Sequence, residues 1–301
     1  MDYKKIIPSQ DMRLKILSLT NFIPDKMMIK LQYWIKTGRK LNLKKPIRYN
    51  EKIQWYKLYY RNPLMTQCTD KYRVREYVTS KGLENILVPL YEAYDDVKDI
   101  DIDTLPDKFV LKTNNGSGSH TNILCDDKSK LDISATKEIL NSWLTERTIK
   151  AGREWSYYNI KPKIICEKYL EDHSSHGLID YKFYCFNGKP SYIKVATNTT
   201  DSDGPKNGIF NMDFEQLPYC RKEVEKITKK IPLPKNYNLM CEIAEELSKD
   251  FPHVRVDLYN IDGEVYFGEL TFYDTSGYQI FEPDDFDFIL GDLFTLNKMM
   301  F

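Results

Sequence analysis

Residues 254–277, VRVDLYNIDGEVYFGELTFYDTSG, leave this chain the least freedom. Val254, Val256 and Leu258 alternate with Arg255, Asp257 and Tyr259, the period of a strand. Residues 260–263 then supply a turn. On the return strand, Val265, Phe267, Glu269 and Thr271 are expected on one face, and Tyr266, Gly268, Leu270 and Phe272 on the other. Charges within a half-buried strand are costly unless they are paired or bind an ion. If Asp257 faces Glu269 directly, the loop is the three residues 262–264, with Gly263 at its centre taking a positive φ. Two carboxylates side by side repel, which makes sense around a divalent cation. Hard oxygen ligands at this density suit Mg²⁺ or Mn²⁺, with phosphate oxygens completing the shell. A hairpin whose acids simply face water satisfies the same pattern equally well.

Formal net charge is zero, so nucleic acid is not an expected partner. The balance hides an asymmetry: residues 1–60 hold 14 Lys+Arg against 4 Asp+Glu, and residues 251–301 hold 2 against 10. The basic end suits an anionic polymer or membrane surface, and a solvated helical face is the plainer reading. Cys68, Cys125, Cys166, Cys185, Cys220 and Cys241 are scattered with no CxxC, which argues against zinc or a disulfide framework and for a reducing compartment. The N-terminus has no apolar leader region, and no run approaches a membrane span. A cytoplasmic protein is expected, at most peripheral at the inner face of a membrane.

Residues 10–60 read as helical. Met27, Met28, Leu31, Trp34 and Ile35 form a stripe with Lys26, Lys30 and Lys36 off it. Such a stripe either faces a core, the preferred reading, or lies on a membrane. A second helix is expected over 50–60 with Asn50 as its N-cap, and Pro63 is expected to close the region. Residues 69–81 read as one helix capped by Thr69 or Asp70, with Lys71 in its first turn, where a cation is unfavourable unless an anion meets it. A short strand is expected over 86–91, followed by an acidic connector with few packing signals. Residues 107–113, DKFVLKT, alternate as a strand and run into the loop NNGSGSH, where Gly116 and Gly118 free backbone amides and Ser117 and Ser119 add hydroxyl donors. A strand lysine, Lys112, before such a loop is what a phosphate clamp needs, although an ordinary turn has the same letters. A helix over 131–150, strands over 163–170 and 178–186, an Asn187-Gly188 hairpin turn, a polar loop over 197–207 and a helix over 236–250 complete the pattern. His173 and His176 lack a third ligand nearby and read as exposed.

The motifs NEKIQWYKLY, KFVLKTNNGSG, DYKFYCFNG, RVDLY and FGELTFYDTSG, in this order, resemble the TupA-like branch of the ATP-grasp superfamily over nearly the whole chain. That branch is found in bacterial teichuronopeptide and capsular polysaccharide synthesis. The resemblance implies an α+β ATP-grasp fold, two subdomains clasping ATP, with a basic helical N-terminal region at 1–64, N-terminal and lid subdomains at 65–170 and a C-terminal subdomain at 171–301. It implies that Lys71 and Lys112 hold the ATP phosphates and that Gly116, Ser117, Gly118 and Ser119 close over them. Glu167, with the backbone of Lys168, Tyr169 and Leu170, would meet the adenine edge, and Asp180 the ribose. Asp257 and Glu269 would bridge Mg²⁺. Thr271 stands where many ATP-grasp ligases have Asn and is the weaker ligand, which leaves one or two metal ions open. Arg255 would stabilise the transferring phosphoryl group, and Lys182 joins it as a catalytic candidate.

The implied reaction is ATP-dependent carboxylate–amine ligation through an acylphosphate, joining an amino acid to a sugar or uronic acid. The basic residues within 26–57 would meet the glycan, its lipid carrier or the membrane. Three other readings compete: a glycosyltransferase, for which Asp201-Ser202-Asp203 supplies a D-x-D; a phosphotransferase on the same scaffold; and a nucleotide-binding partner without catalysis, which the complete lysine and acid set disfavours.

Overall fold

The computed structural model describes residues 9–116, 121–145, 151–173, 177–197 and 206–296. Ser117, Gly118, Ser119, His176 and the triplet Asp201-Ser202-Asp203 lie outside them. The described chain opens with helices α1 (Gln10–Leu19), α2 (Asp25–Thr37), α3 (Tyr49–Tyr59), α4 (Pro63–Thr69) and α5 (Val74–Ser80). Strands β1 (Leu90–Tyr94), β2 (Phe109–Thr113), β3 (Asn122–Cys125) and β4 (Ile164–Lys168) form an antiparallel sheet in the order β1-β4-β2-β3. Helix α6 (Ile133–Thr145) precedes β4. A six-stranded sheet follows. It uses β5 (Ile179–Phe186), β6 (Lys189–Thr197), β7 (Lys206–Phe210), β9 (Glu225–Lys226), β10 (His253–Ile261) and β11 (Glu264–Thr271), in the order β11-β10-β5-β6-β7-β9. A two-residue β8 (Cys220–Arg221) pairs with β12 (Phe281–Glu282); α7 (Tyr237–Ser248) leads into β10, and α8 (Phe286–Leu293) follows β12.

The hairpin forms, with one correction that decides the site. Asp257 does face Glu269, but the turn is the two-residue Asp262-Gly263, at φ 54° and 98°, between the paired Ile261 and Glu264. The parity is restored by a bulge: Asp257 pairs with Glu269 and Leu258 with Phe267, so Gly268 is the extra residue. The bulge also overturns the expected face of β11. Val265 and Phe267 enter the core together with Leu270 and Phe272, whereas Glu269 and Thr271 stay with Arg255 and Asp257 on the other side. Without the bulge, a carboxylate would share the core face with Phe267.

Other elements differ for identifiable reasons. The helix expected over 69–81 breaks at Asp70, whose carboxylate accepts from the backbone N–H of Tyr72 and Arg73 and from Asn114 Nδ2 at 3.0 Å. Pro63 does not close the region; it starts α4, with Asn62 as N-cap. Asn50 is not the cap of α3. It lies inside the helix, buried, donating to Gln279 O and Asp287, while Glu51 accepts from Ile47 and Arg48 N–H. The strand expected over 86–91 is β1, which begins four residues later, beyond Pro89. The acidic connector after it packs, burying Val97, Ile100, Ile102 and Leu105 beside Phe109, Leu111 and Ile164. Strand β7 begins inside the polar stretch 197–207.

The larger core joins α3, α4, α5 and α7 to the six-stranded sheet, drawing on residues from both sides of position 65. Helix α2 buries Met28, Ile29, Gln32 and Tyr33, so of the expected stripe only Met28 is buried: Ile35 is half-buried, and Met27, Leu31 and Trp34 are exposed. Several basic residues of the N-terminal region are already engaged. Arg39 and Arg48 pair with Asp284 and Asp287, Lys52 donates to Gly291 O and Phe294 O, and Lys57 is buried.

Candidate active site

Strand β10 sends Val254, Val256 and Leu258 into the core, which leaves Arg255 and Asp257 on the opposite face of the sheet. Arg255 Nε donates to Asp257 Oδ1 at 2.7 Å, and Nη2 donates to Asp257 Oδ2 at 2.6 Å and to Glu269 Oε1 at 3.2 Å. A single guanidinium nitrogen thus spans both acids. Neighbouring β5 places Lys182 opposite Asp257, where its Nζ bridges Asp257 Oδ2 at 2.9 Å and Asp180 Oδ2 at 2.8 Å. Thr271 donates to Glu269 at 2.7 Å and accepts from Arg255 at 3.0 Å.

The four-stranded sheet supplies the second group. Lys112 on β2 meets Glu167 on β4 at 2.5 Å, and Arg75 lies 3.6 Å from the same carboxylate. Lys71 sits in the turn that Asp70 creates, not in a helix. Its Nζ donates to Gly116 O at 2.5 Å and lies 3.5 Å from Glu269. That contact ties the two groups together. Lys168 is exposed, its N–H bonded to Pro89 O, and Tyr169 and Leu170 are half-buried beyond it. A narrow crevice of about 10 Å³ is lined by Lys71, Arg75, Lys112, Glu167, Phe267 and Gly268. A separate cavity of about 320 Å³ is lined by Glu269 with Thr69, Glu154, Tyr157, Arg255, Thr271 and Ser276 among others. His173 is exposed, as expected.

The TupA-like ATPgrasp family model matches residues 51–295. The chain belongs to the TupA-like ATP-grasp family. With it comes the ATP-grasp fold, the α+β class expected. No curated protein matches the sequence. Among solved structures, the chain is similar to D-alanine–D-alanine ligase from Bacillus anthracis, at 18% identity over 68% of this chain and 57% of that one, TM-score 0.41. It is similar to D-cycloserine synthetase DcsG, at 17% identity over 77% and 70%, TM-score 0.42. It is also similar to phosphoribosylamine–glycine ligase from Thermotoga maritima, at 11% identity over 71% and 49%, TM-score 0.45. The chain therefore spans only about half to two-thirds of the length of most of these enzymes.

Electrostatics of the candidate site follow from burial against pairing. Burial opposes ionisation of Glu269, but Lys71, Arg255 and Lys182 outweigh it and hold its pKa down to about 2; its side chain stays 38% exposed, so water shares in the screening. Burial raises the pKa of Asp180 despite Lys182. Burial also disfavours the Lys182 ammonium, yet Asp257 and Asp180 prevail and its pKa rises.

Sequence reasoning passed over Asp274, although it lies in the quoted FYDTSG motif. It is buried, and burial opposes its charge, but Arg255 and Lys194 hold its pKa far below the carboxylate range. It accepts from Arg255 Nη1, from Lys194 at 3.0 Å and from Tyr184 OH at 2.5 Å. With that bond, Arg255 commits at least four of its five N–H donors, leaving at most one, on Nη1, for a ligand. Asn114 and Arg75 were also missed. Asn114 is buried and joins Asp70 to the Lys161 carbonyl and the Lys163 amide. The signal for Asn114 was a polar residue flanking a strand end, and for Arg75 a basic residue in the first turn of a helix, both too common to single out.

Proposed function

We propose that this chain is an ATP-dependent carboxylate–amine ligase that works through an acylphosphate. The observation that carries the reading is the meeting of two lysines with two facing acids: Lys71 and Lys112 line one crevice, and Lys71 reaches across to Glu269, opposite Asp257. Lys71, Lys112 and Arg75 are the cations positioned for a polyphosphate, with Glu167 beside them and the β4 end at Lys168, Tyr169 and Leu170 leading away. Asp180 is held by Lys182 on the same face, consistent with a hydroxyl-rich ribose nearby.

Asp257 and Glu269 fit a hard divalent ion. They lie close enough for one nitrogen to bridge them, and their oxygens are the donor type Mg²⁺ prefers. Among the described residues no cluster of three or more acidic, histidine or cysteine side chains completes a cage, so phosphate oxygens and water would supply the rest of the shell. Thr271 spends its hydroxyl proton on Glu269 and thus orients a ligand more than it adds one. A bound Mg²⁺ would neutralise phosphate charge and polarise the phosphoryl group under attack. Arg255 and Lys182 hold the acids in place and keep positive charge beside them, so that charge developing on the transferred group meets a prearranged field.

The cavity beyond Arg255 has room for an amino acid or one sugar ring, which matches joining an amino acid to a sugar or uronic acid in bacterial cell-surface polysaccharide synthesis. In that reaction a carboxylate oxygen attacks the γ-phosphorus, ADP leaves, an amine attacks the acyl carbon, and phosphate leaves. The work takes place in the cytoplasm, where ATP is available. The test is ADP and phosphate release against a panel of amino acids paired with uronic and amino sugars, with Asp257→Asn and Glu269→Gln as controls. Stoichiometric ADP, phosphate and amide, lost in both variants, supports the ligase. ADP without free phosphate identifies a phosphotransferase, and consumption of a nucleotide sugar without ADP a glycosyltransferase; either overturns the proposal.

A further inference from the structure

Helices α1 and α2 carry apolar stripes at the same helical spacing that the described fold leaves uncovered. Met12, Ile16 and Leu19 follow i, i+4, i+7 on α1, and Met27, Leu31 and Trp34 repeat that spacing on α2; all six are exposed. Phe22, in the connection, is 85% exposed, Leu19 76% and Trp34 58%. Helix α2 is not loosely held. Its inner face buries Ile29 and Tyr33 completely, packed with Leu41 and Tyr278. Large apolar side chains clustered on a firmly anchored element mark an interaction surface.

The charge around this surface selects its partner. Residues 12–40 contain seven Lys+Arg, of which Arg39 is held by Asp284, and a single acid, Asp25. That acid is already paired with Arg153 at 2.9 Å. On α2, Lys30 falls about 60° and Lys26 about 100° to one side of the Met27–Leu31–Trp34 stripe, and both are exposed. Apolar side chains with Trp and Phe, flanked by lysines, fit the boundary between anionic headgroups and acyl chains. A second copy of this chain, docking the same patch on itself about a two-fold axis, would set like charges against each other. Among the described residues no helix is long and apolar enough to cross a membrane, so these helices would lie along the surface. The surface also lies N-terminal to residues 51–295, the part matched by the family.

We propose that residues 12–34 seat the protein on an anionic phospholipid surface, with Met27, Leu31, Trp34 and Phe22 inserted and Lys26 and Lys30 on the headgroups. This does not depend on which reaction the active site performs. The test is co-sedimentation of the full chain with phosphatidylcholine vesicles, with and without about one-third phosphatidylglycerol. The chain should sediment with the anionic vesicles and stay free with the neutral ones. Binding should weaken roughly five-fold for each of Lys26→Gln and Lys30→Gln, and fall away at ~1 M salt. Leu31→Ser with Trp34→Ser should cost at least about ten-fold. These exposed substitutions should leave the melting temperature unmoved. Absence of binding to anionic vesicles, or equal binding by the Leu31/Trp34 variant, would overturn the proposal. So would a concentration-dependent dimer in light scattering that the same variant dissociates, since a second copy would then be the occupant.

Discussion

Asp274→Asn removes one negative charge from a buried array whose charges now balance. Asp274, Asp257, Asp180 and Glu269 face Arg255, Lys194, Lys182 and Lys71, and Arg255, Lys194 and Asp274 are all buried. Leaving a buried cation without its partner costs about 3–5 kcal/mol. Lys194 makes that cost depend on pH. Burial outweighs Asp274 and has already lowered its pKa to about 8, below the 10.5 of a free lysine. Between these two values the unfolded chain binds the extra proton, so the wild-type protein gains stability from this group as pH rises from 8 towards 10.5. Without Asp274 the folded pKa drops further, and the gain begins at lower pH. The deficit of Asp274→Asn should therefore be largest near about pH 6 and shrink by up to about 1.4 kcal/mol per pH unit on approaching pH 8. Urea unfolding across that range measures it. Adding Lys194→Met should flatten the pH dependence and leave the part due to Arg255. In ligase assays Asp274→Asn should lower kcat more than it raises KM for ATP, because Arg255 is misplaced while Lys71 and Lys112 are untouched. A stability deficit below about 1 kcal/mol, or one independent of pH, would refute the reasoning.

Three further outcomes are expected. His253 is fully buried, its Nδ1–H donating to Cys185 O and its Nε2 accepting from Tyr49 OH, and burial lowers its pKa to about 4 against 6.5 unfolded. Its contribution is present above the unfolded value and is lost as pH falls towards 4, by about 3 kcal/mol; His253→Gln should be less stable at neutral pH and lose less on acidification in urea titrations. Gly268→Ala places a Cβ 3.0 Å from the Asp257 carbonyl oxygen. It should cost about 1–3 kcal/mol of stability and raise KM for ATP, because the bulge lines the crevice; wild-type values for both would count against that close approach. Mg²⁺ with ATP at about 100 times Kd should stabilise the protein by about 2.7 kcal/mol. Chelation or Glu269→Gln should remove most of that gain in calorimetry, and a gain that survives both would dismiss the metal assignment.

Patterns confined to one element were legible in the sequence. The alternation of β10 and the Asn187-Gly188 turn, at φ 51° and 76°, stand as read, and the expected stripe of α7 buries Met240, Ile243, Ala244 and Leu247 but leaves its first member, Leu239, exposed. The half-buried face of β2 that carries Lys112 was legible because Phe109, Leu111 and Thr113 fill the other face. What failed depended on partners distant in sequence. Exposure of Met27, Leu31 and Trp34 could not be read from α2, because its stripe and its buried face differ by little in apolarity; Tyr278, some 250 residues on, chooses the latter. The packing of Val97, Ile100, Ile102 and Leu105 was invisible because their spacing follows neither helix nor strand. Asn50 resembles a cap until Gln279 and Asp287 claim its side chain.

Three departures from regular pattern have a different cause, and they converge. The bulge at Gly268 puts Glu269 on the face of Asp257. The break at Asp70 takes Lys71 out of a helix and turns it towards Glu269 and Gly116. The loop after β11 holds Thr275 and Ser276 at positive φ, 50° and 57°, where Lys57 ties down the Ser276 carbonyl and hydroxyl. Each costs local free energy: a lost ladder pair, an interrupted helix, and of order 1–3 kcal/mol for a non-glycine residue in the left-handed region. Regular structure would avoid all three, so each must be held by its surroundings. All three border the same crevice or the same cavity. Other left-handed residues, such as Asn187 and Asn236, lie at turns elsewhere, so these three matter for what they bring together: Glu269 beside Asp257, Lys71 beside Glu269, and Ser276 at the cavity wall. Asp70→Ala should then lower ATP turnover by releasing Lys71 from Glu269, and unchanged turnover in that variant would break that inference.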